Sequence, residues 1–420
     1  MLYRYIRILA LVYGCFTTLG NANELGVEFS GFASLAVSYS DGSDIGFRSN
    51  YLNERDTGWS IKRDSTLGGQ ANITLTENWD SVVQVVLQDY DNTDFDNYLE
   101  LAFLRYRPTR NWAIRAGRLN SDLYLLSEYP YVGYAYLWVR PPHEYYSFAS
   151  TAAHYDGIDV EYSQDVNDGY LRIKLATGQT SPKLGAGDEE FSVTFKDLFT
   201  LSATFVKDEW TIRASTSIAN ISEFESAPFS YLVSGLNSIP ASLWSQAAAF
   251  SHGLDSQYHD VTYTALGLIY DNYDWLIQAE LGTVNTDWLL APSNITGYIS
   301  AGYRIEDMTY FAGVSIAENK KEAPQVNTPE LLEYLPLEIR IATERLVAGT
   351  QYALQRAVVH QHSVNIGAKW YYSDKLVFKA QVDHFMIQPI GGGLWDIDSQ
   401  ADIESKHNIN LFSLSASMVF

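Results

Sequence analysis

The chain has 420 residues, and its 50 acidic residues outnumber the 28 basic ones, which gives a formal net charge of −22. This balance excludes an electrostatic nucleic-acid binder, because such a protein needs a basic face. A hydrophobic content of 46% argues against disorder, a single cysteine excludes a disulfide framework, and no apolar run beyond residue 20 is long enough for a membrane-spanning helix.

Residues 1–22 have the pattern of a secretory signal peptide. Two arginines precede a short apolar segment, and Gly20-Asn21-Ala22 offers small residues at the expected cleavage site. A short membrane anchor is one alternative, although the apolar segment is short for a span. Lipidation at Cys15 is another, although a bulky tyrosine stands where a second small residue is expected. The mature chain is therefore predicted to begin at residue 23.

The first predicted strand covers residues 27–39. Its odd-numbered residues are mostly apolar, and its even-numbered residues are mostly small or polar. Strands of soluble sandwiches have about five or six residues, so this longer alternation of period two favours a membrane-spanning strand with one face toward lipid. Similar alternation recurs at residues 67–75 and 210–218.

Short polar turns and long polar segments alternate along the rest of the chain. The seven short turns lie at 77–78, 108–111, 164–169, 207–209, 271–274, 305–308 and 372–374. The eight long segments are 40–64, 89–97, 119–152, 177–197, 220–259, 283–294, 318–359 and 386–407. Together they join sixteen strands. We therefore expect residues 23–420 to form one all-β domain, a transmembrane antiparallel up-and-down β-barrel with short periplasmic turns and long extracellular loops.

Four of the short turns are followed at once by a tryptophan, at Trp79, Trp112, Trp210 and Trp275. An indole ring prefers the level of the lipid headgroups. The placement therefore predicts an aromatic belt at the periplasmic interface. The last strand alternates serine with apolar residues and ends in Phe420.

The segment 119–152, here named L3, is unusually aromatic for a loop in solvent. A barrel of sixteen to eighteen strands leaves an aqueous channel, and aromatic side chains suit packing inside such a lumen. L3 is therefore predicted to be inserted into the barrel. An external cap over the mouth is the alternative interpretation.

Three stretches of sequence resemble proteobacterial porin-like outer-membrane β-barrel proteins of the general-porin type, most of them uncharacterised. They are RAGRLNSDLYLLSEYPYVGYAYLWVRPPHEYY at 115–146, HYDGIDVEYS at 154–163 and NLFSLSASMVF at 410–420. The resemblance extends over most of the mature chain. It implies an outer-membrane location in a Gram-negative bacterium and an L3 that narrows the barrel. As partners it implies outer-membrane lipid, lipopolysaccharide, the barrel assembly machinery and, by analogy alone, a homotrimer.

These features predict a porin, that is, a water-filled channel for passive diffusion of small hydrophilic solutes or ions, without cofactor or enzymatic activity. An adhesin or receptor barrel that uses its long loops is the alternative. A barrel phospholipase is a further alternative function. The strand serines and His384 leave it open, although no GxSxG motif is present.

Charged residues within strands are expected to face the lumen, because arginine or lysine on the lipid face costs about 2–4 kcal/mol at mid-membrane. Arg115 is turned inward, since its neighbours Ile114 and Ala116 face lipid. We predict a constriction in which arginines face acids of L3. The arginines are Arg105, Arg107, Arg115 and Arg118, and the acids are Asp122, Glu128 and Glu144. Charges that only hydrate the wall are the alternative. Further predicted pore-lining residues are Arg140, Arg172, Lys174, Arg213 and Glu280.

Metal-binding signals are weak. The acidic loops, such as DGSDIG at 41–46 and QDYDNTDFDN at 88–97, could bind Ca²⁺ and bridge to lipopolysaccharide phosphates. Their spacing matches no EF-hand, and a solvated loop surface is the alternative. His360 and His362 share a strand face, but no carboxylate lies near them in the sequence, so no metal site is predicted.

A few places depart from the strand pattern. Strict alternation would put Glu100 on the lipid side, so a bulge or a position above the apolar band is expected. Thr328-Pro329-Glu330 has the cap and proline of a helix start, which Pro336 interrupts before residues 337–355 continue it. Residues 239–253 are a second helix candidate. Either helix could fold over the mouth or extend away from it.

Overall fold

The computed structural model describes residues 26–52, 57–90, 95–149, 152–186, 189–257, 259–330, 332–397 and 401–420. The predicted signal peptide at 1–22 lies outside the described residues. Across the described ranges, no helix has both the length and the apolar character needed to cross a membrane.

Long antiparallel strands form a closed barrel in which neighbours along the chain are neighbours in the sheet. In chain order the strands are β1 (Gly26–Ser40), β2 (Ile45–Gly46), β3 (Gly58–Ser60), β4 (Thr66–Thr74), β5 (Trp79–Leu87), β6 (Leu99–Thr109), β7 (Trp112–Asn120), β8 (His154–Val166), β9 (Gly169–Thr180), β10 (Lys183–Ala186), β11 (Glu189–Lys207), β12 (Trp210–Glu225), β13 (His259–Asp271), β14 (Trp275–Asn285), β15 (Asn294–Ile305), β16 (Met308–Asn319), β17 (Val359–Ser373), β18 (Leu376–Gly392), β19 (Asp396–Ile397) and β20 (His407–Val419). The short β2, β3, β10 and β19 are additions, and the other sixteen make the barrel, as predicted.

The barrel closes between its first and last strands. β1 pairs with β4 on one side and with β20 on the other. The C-terminal Phe420 completes the closure, since its amide donates to the Gly31 carbonyl at 2.9 Å and its carbonyl accepts from the Gly31 amide at 2.8 Å. No edge strand is left open at the seam, as a sheet in lipid requires.

The seven predicted turns all join consecutive barrel strands, and the strands alternate as expected. On β1, for example, Leu35 is 69% exposed toward the outside, whereas its neighbour Ala36 is 2% exposed. The tryptophans after four turns each pack against a tyrosine directly opposite, with ring centroids 4.6–4.8 Å apart. The pairs are Trp79–Tyr106, Trp112–Tyr162, Trp210–Tyr270 and Trp275–Tyr303. These cross-strand pairs form the predicted aromatic belt.

The predicted irregularity at Glu100 is a bulge. The register of β5 and β6 shifts between Gln84 and Val85, and Glu100 is the extra residue opposite them. Its side chain is buried and accepts a hydrogen bond of 2.9 Å from the Tyr90 hydroxyl. The bulge therefore removes this carboxylate from the lipid-facing side.

The segment 177–197 is not the loop that its polar residues predict. β9 continues to Thr180, and β10 and β11 form a hairpin that extends the barrel wall. The cause is packing, because Val193 of β11 belongs to an apolar cluster with Ile221 and Trp288. Buried contacts of this kind override a polar local composition.

Three of the helices in the described part of the chain have eight or more residues and lie in long extracellular loops, α1 (Ala227–Ser238), α2 (Ala247–Leu254) and α3 (Leu337–Arg356). Shorter helices cover Phe95–Tyr98 and, within L3, His143–Ala149. The predicted helix at 337–355 is confirmed, whereas residues before Pro336 make only a 3₁₀ turn, Leu332–Tyr334. The candidate 239–253 is half wrong. Residues 247–254 are helical, and the preceding helix α1 was not predicted. A shared apolar cluster that includes Leu236, Trp244, Phe250 and Leu354 holds the helices together.

The loop between β1 and β4, here named L1 (residues 41–65), crosses the extracellular mouth. Phe47 packs in a cluster with Phe385 of β18 and Trp395. Leu52 belongs to the cluster of Ile221 on β12. Because β12 lies across the barrel from β1, L1 spans the opening between these two clusters.

Candidate pore constriction

L3 lies against the inward-facing side chains of the barrel. The Leu125 amide donates to Glu280 on β14 at 2.8 Å, and the Trp138 indole donates to Ser300 on β15 at 3.1 Å. Further along L3, the Val139 amide donates to a side chain of β18 at 2.7 Å. Many L3 side chains are almost fully buried, including Trp138. These contacts place L3 inside the lumen along one wall.

The first anchor of L3 is the buried carboxylate of Asp122. It contacts Arg213 of β12 and Lys174 of β9, the latter at 3.4 Å, and accepts a hydrogen bond of 2.5 Å from Ser202. Burial opposes ionisation, but Lys174 and Arg213 still hold the pKa of Asp122 well below its ordinary value. The carboxylate is therefore charged and fixes the start of L3 to the wall.

A second anchor is Glu144, whose side chain is fully buried. Its oxygens accept hydrogen bonds from Ser315 at 2.7 Å, Gln361 at 2.8 Å and Ser363 at 2.9 Å. Glu280 makes the opposite connection, because its carboxylate belongs to the wall and the donors belong to L3. It accepts hydrogen bonds from an L3 backbone amide and from the Tyr146 hydroxyl. Buried carboxylates with several donors rigidify the segment that they hold.

Two wall lysines complete the attachment of L3. Lys369 of β17 donates to the Tyr134 carbonyl at 2.7 Å, and Lys379 of β18 donates to the Trp138 carbonyl at 2.5 Å. Buried backbone carbonyls need partners, and the ammonium groups supply them where L3 has no regular secondary structure. L3 is thus held along both its backbone and its side chains.

Arg140 links L3 to L1 and to the wall. Its guanidinium donates to Asp64 of L1 at 2.9 Å and to Asp383 of β18 at 3.2 Å. It also stacks 4.6 Å from the ring centroid of Phe47. All three charged side chains are buried. One arginine therefore couples both inserted loops.

The predicted arginines of β6 and β7 do not face the acids of L3. Arg105 and Arg107 both pair with Asp80 of β5, and Arg115 pairs with Asp159 of β8 at 2.9 Å. These pairs lie within the wall itself. The L3 acids bind elsewhere, since Asp122 contacts Arg213, Glu128 contacts Arg172, and Glu144 contacts amide and hydroxyl groups. The predicted juxtaposition is wrong because L3 turns toward other strands.

Arg118 is not part of the inner wall. In the register of β7 and β8, Arg118 lies directly opposite Asp156. Its guanidinium donates a hydrogen bond of 2.9 Å to the Asp156 carboxylate. Ile158, two residues from Asp156, is 51% exposed on the outer surface. Alternation therefore places Arg118 and Asp156 on the outer face, opposite to Arg115. The prediction that Arg118 lines the constriction is wrong.

A cavity of about 110 Å³ remains between L1, L3 and the wall of β1, β4 and β20. Its lining combines charges of both signs, serines and tyrosines. Among the lining residues are Ser34, Lys62, Arg63, Asp64, Asp89, Tyr131, Tyr136, Arg140 and Ser417. Sequence reasoning missed the L1 residues in this set. The apolar residues of L1, among them Ile45, Phe47 and Leu52, were the available signal.

Solved outer-membrane barrels have the same fold. OmpF of Salmonella typhi, in a complex with daunomycin, matches with a TM-score of 0.52 and 10% identity over 95% of this chain and 99% of its own. OmpT of Vibrio cholerae gives 0.51 and 11%, with coverage of 95% and 99%. The outer-membrane channel DcaP of Acinetobacter baumannii gives 0.50 and 13%, also with coverage of 95% and 99%. No protein-family model and no curated protein matches the sequence.

The chain has a porin-like fold. The resemblance predicted from the sequence is confirmed at this level, and the outer-membrane location that the fold implies agrees with it.

The buried histidine of L3 in this porin-like barrel predicts acid sensitivity. Burial, Arg140 and Arg48 lower the pKa of His143 to about 3, against 6.5 for a free histidine. Its contribution to stability is therefore complete above pH 6.5 and is lost as the pH falls from 6.5 toward 3, at about 1.4 kcal/mol per unit. His143→Phe keeps an aromatic ring packed against Phe47 and Phe385. We expect the stability of this variant to fall less steeply than that of the wild type as the pH is lowered. Melting temperatures between pH 7.5 and 4 would check this, and identical slopes for both proteins would refute it.

Proposed function

We propose that the protein is an outer-membrane porin with a narrow aqueous channel for small hydrophilic solutes or ions. The observation that carries the proposal is the asymmetry of the lumen. L3 is bonded to strands β9 to β18, while the wall of β5 to β8 keeps a ladder of charged side chains. We therefore infer that the channel runs between L3 and the wall of β5 to β8.

The composition of the passage favours small polar solutes. Arginine and aspartate side chains face each other across the wall strands, and Arg105 and Arg107 are 31% and 47% exposed. L3 also fills part of the lumen, since many of its side chains are buried against the barrel wall. Selectivity in a pore follows diameter and lining charge. We therefore infer passive diffusion of small ions and polar molecules, without a catalytic step.

Two arginines against one aspartate predict a weak preference for anions at the periplasmic end of β6. Replacing both Arg105 and Arg107 with alanine leaves Asp80 unpaired in the lumen and should shift the reversal potential toward cation selectivity. The measurement is a planar bilayer with a salt gradient. Arg118→Ala is the matched control, because this arginine lies on the outer face and should leave the reversal potential unchanged. Unaltered selectivity in the double variant, or no conductance in the wild type, would contradict the proposal.

A homotrimer in outer-membrane lipid and lipopolysaccharide is part of the proposal. A solved form of Vibrio cholerae OmpT, with a TM-score of 0.51 and 11% identity, is described as a trimer. The C-terminal Phe420 at the barrel seam fits a substrate of the barrel assembly machinery.

A receptor or adhesin barrel is the second candidate function. It is favoured by the helical unit of α1, α2 and α3, which has its own apolar cluster and presents exposed aromatic rings such as Tyr231 and Tyr334. Conductance distinguishes the two candidates, since a closed receptor barrel would give none.

A further inference from the structure

A cluster of metal-ligating side chains lies outside the lumen, at the extracellular ends of β16 and β17. Glu318, His360 and His362 each offer one ligand atom, and these three atoms all lie within 4.8 Å of one another. The Glu318 carboxylate oxygen is 3.4 Å from Nε2 of His360 and 3.2 Å from Nε2 of His362. The imidazole centroids are 5.9 Å apart. Two imidazoles and one carboxylate thus converge on one point.

The strand register explains the convergence. Glu318 pairs directly with His360, and His362 lies one step further along the same face, opposite Ile316. Alternation places all three on the outer face with the exposed Val364. Glu318 precedes the histidines by about forty residues of loop, so only the fold brings it to them.

The spacing fits a small tetrahedral ion. Zn²⁺ binds imidazole nitrogen and carboxylate oxygen at about 2.0–2.2 Å, which sets neighbouring ligand atoms of a tetrahedron roughly 3.3 Å apart. The two carboxylate–imidazole distances are 3.4 and 3.2 Å. All three ligand atoms lie within 4.8 Å of one another, so rotation of the two histidine rings toward each other would complete one coordination shell.

The donor set identifies the class of metal. Imidazole nitrogens favour Zn²⁺, Cu²⁺ and Ni²⁺, whereas Ca²⁺ and Mg²⁺ prefer oxygen ligands alone. Three protein ligands leave one position for water or for an external oxygen such as that of a phosphate. All three side chains are between one third and one half exposed, so an ion can enter from outside.

We propose that Glu318, His360 and His362 form a binding site for Zn²⁺ or a similar divalent transition-metal ion at the outer rim of the barrel. The ion joins β16 to β17 where the long loop carrying α3 leaves the barrel. It therefore fixes the two ends of that loop. This site is independent of the proposed channel.

Isothermal titration of the folded full-length barrel in detergent with Zn²⁺ tests the site. The wild type should bind one equivalent, and excess Ca²⁺ should not compete, because Ca²⁺ prefers oxygen ligands alone. Glu318→Gln, His360→Asn and His362→Asn should each weaken binding by roughly tenfold or more. Zn²⁺ should also raise the melting temperature of the wild type only.

His384→Asn is the matched control. This histidine lies on the same outer face, opposite Val364, and is hydrogen-bonded to Asn410 at 2.8 Å rather than to the cluster. Its replacement should leave Zn²⁺ binding unchanged. Equal affinity in the wild type and His362→Asn, with both folded by circular dichroism, would overturn the proposal. So would an equal loss in His384→Asn.

Discussion

Replacing Arg140 with alanine is expected to lower the free energy of unfolding by about 3–5 kcal/mol. The guanidinium is 5% exposed and is the shared partner of Asp64 and Asp383. Its loss leaves two carboxylates buried next to each other without a cation. It also removes the contact that couples L1 to L3. Urea unfolding in detergent micelles, followed by tryptophan fluorescence, measures the change.

Two further variants separate this effect from a general loss of charge. Arg172→Ala breaks an ion pair with Glu128, which is 44% exposed, and should cost at most about 1 kcal/mol. Adding Asp64→Asn and Asp383→Asn to Arg140→Met should restore much of the stability, because no buried charge is then unpaired. Equal losses for Arg140→Ala and Arg172→Ala would contradict the assignment.

The second large effect is expected from shortening L3. Asn120 and His154 are directly paired at the ends of β7 and β8, so a turn of about four residues can replace residues 122–152. The wall groups freed by this change, such as Arg213 and Glu280, would face water in a widened lumen. We expect liposomes containing the variant to swell with sugars too large for the wild type.

Much of the barrel could be predicted from the sequence because its strands face lipid. A strand in a membrane must alternate and must pair on both sides, so the sixteen strands, their turns and the inward direction of Arg115 and Arg213 follow from a period of two. The position of the belt tryptophans after the short turns could also be predicted. The tyrosine that each tryptophan contacts depends on the pairing register of neighbouring strands. Arg118 was misplaced because strict alternation was not carried to the end of β7.

The constriction was less predictable, because it depends on where a loop goes. No local feature of the L3 sequence predicts that Asp122 contacts Arg213 rather than Arg115. The choice follows from packing of the buried tyrosines and of Trp138 against the far wall. L1 was missed for the same reason, since its two apolar anchors are separated by polar residues. Glu318 was missed because its histidine partners lie beyond an intervening loop.

The most direct measurement of the central claim is the single-channel conductance of the wild type and of the shortened-L3 variant in the same planar bilayer. Residues 320–358 form a loop of comparable length, and Asn319 and Val359 at its ends are close enough to hydrogen-bond at 3.4 Å, so shortening this loop is the control. We predict small wild-type channels, a severalfold rise in conductance on shortening L3, and a far smaller change in the control. Equal conductance with and without L3 would contradict the claim that L3 sets the width of the channel.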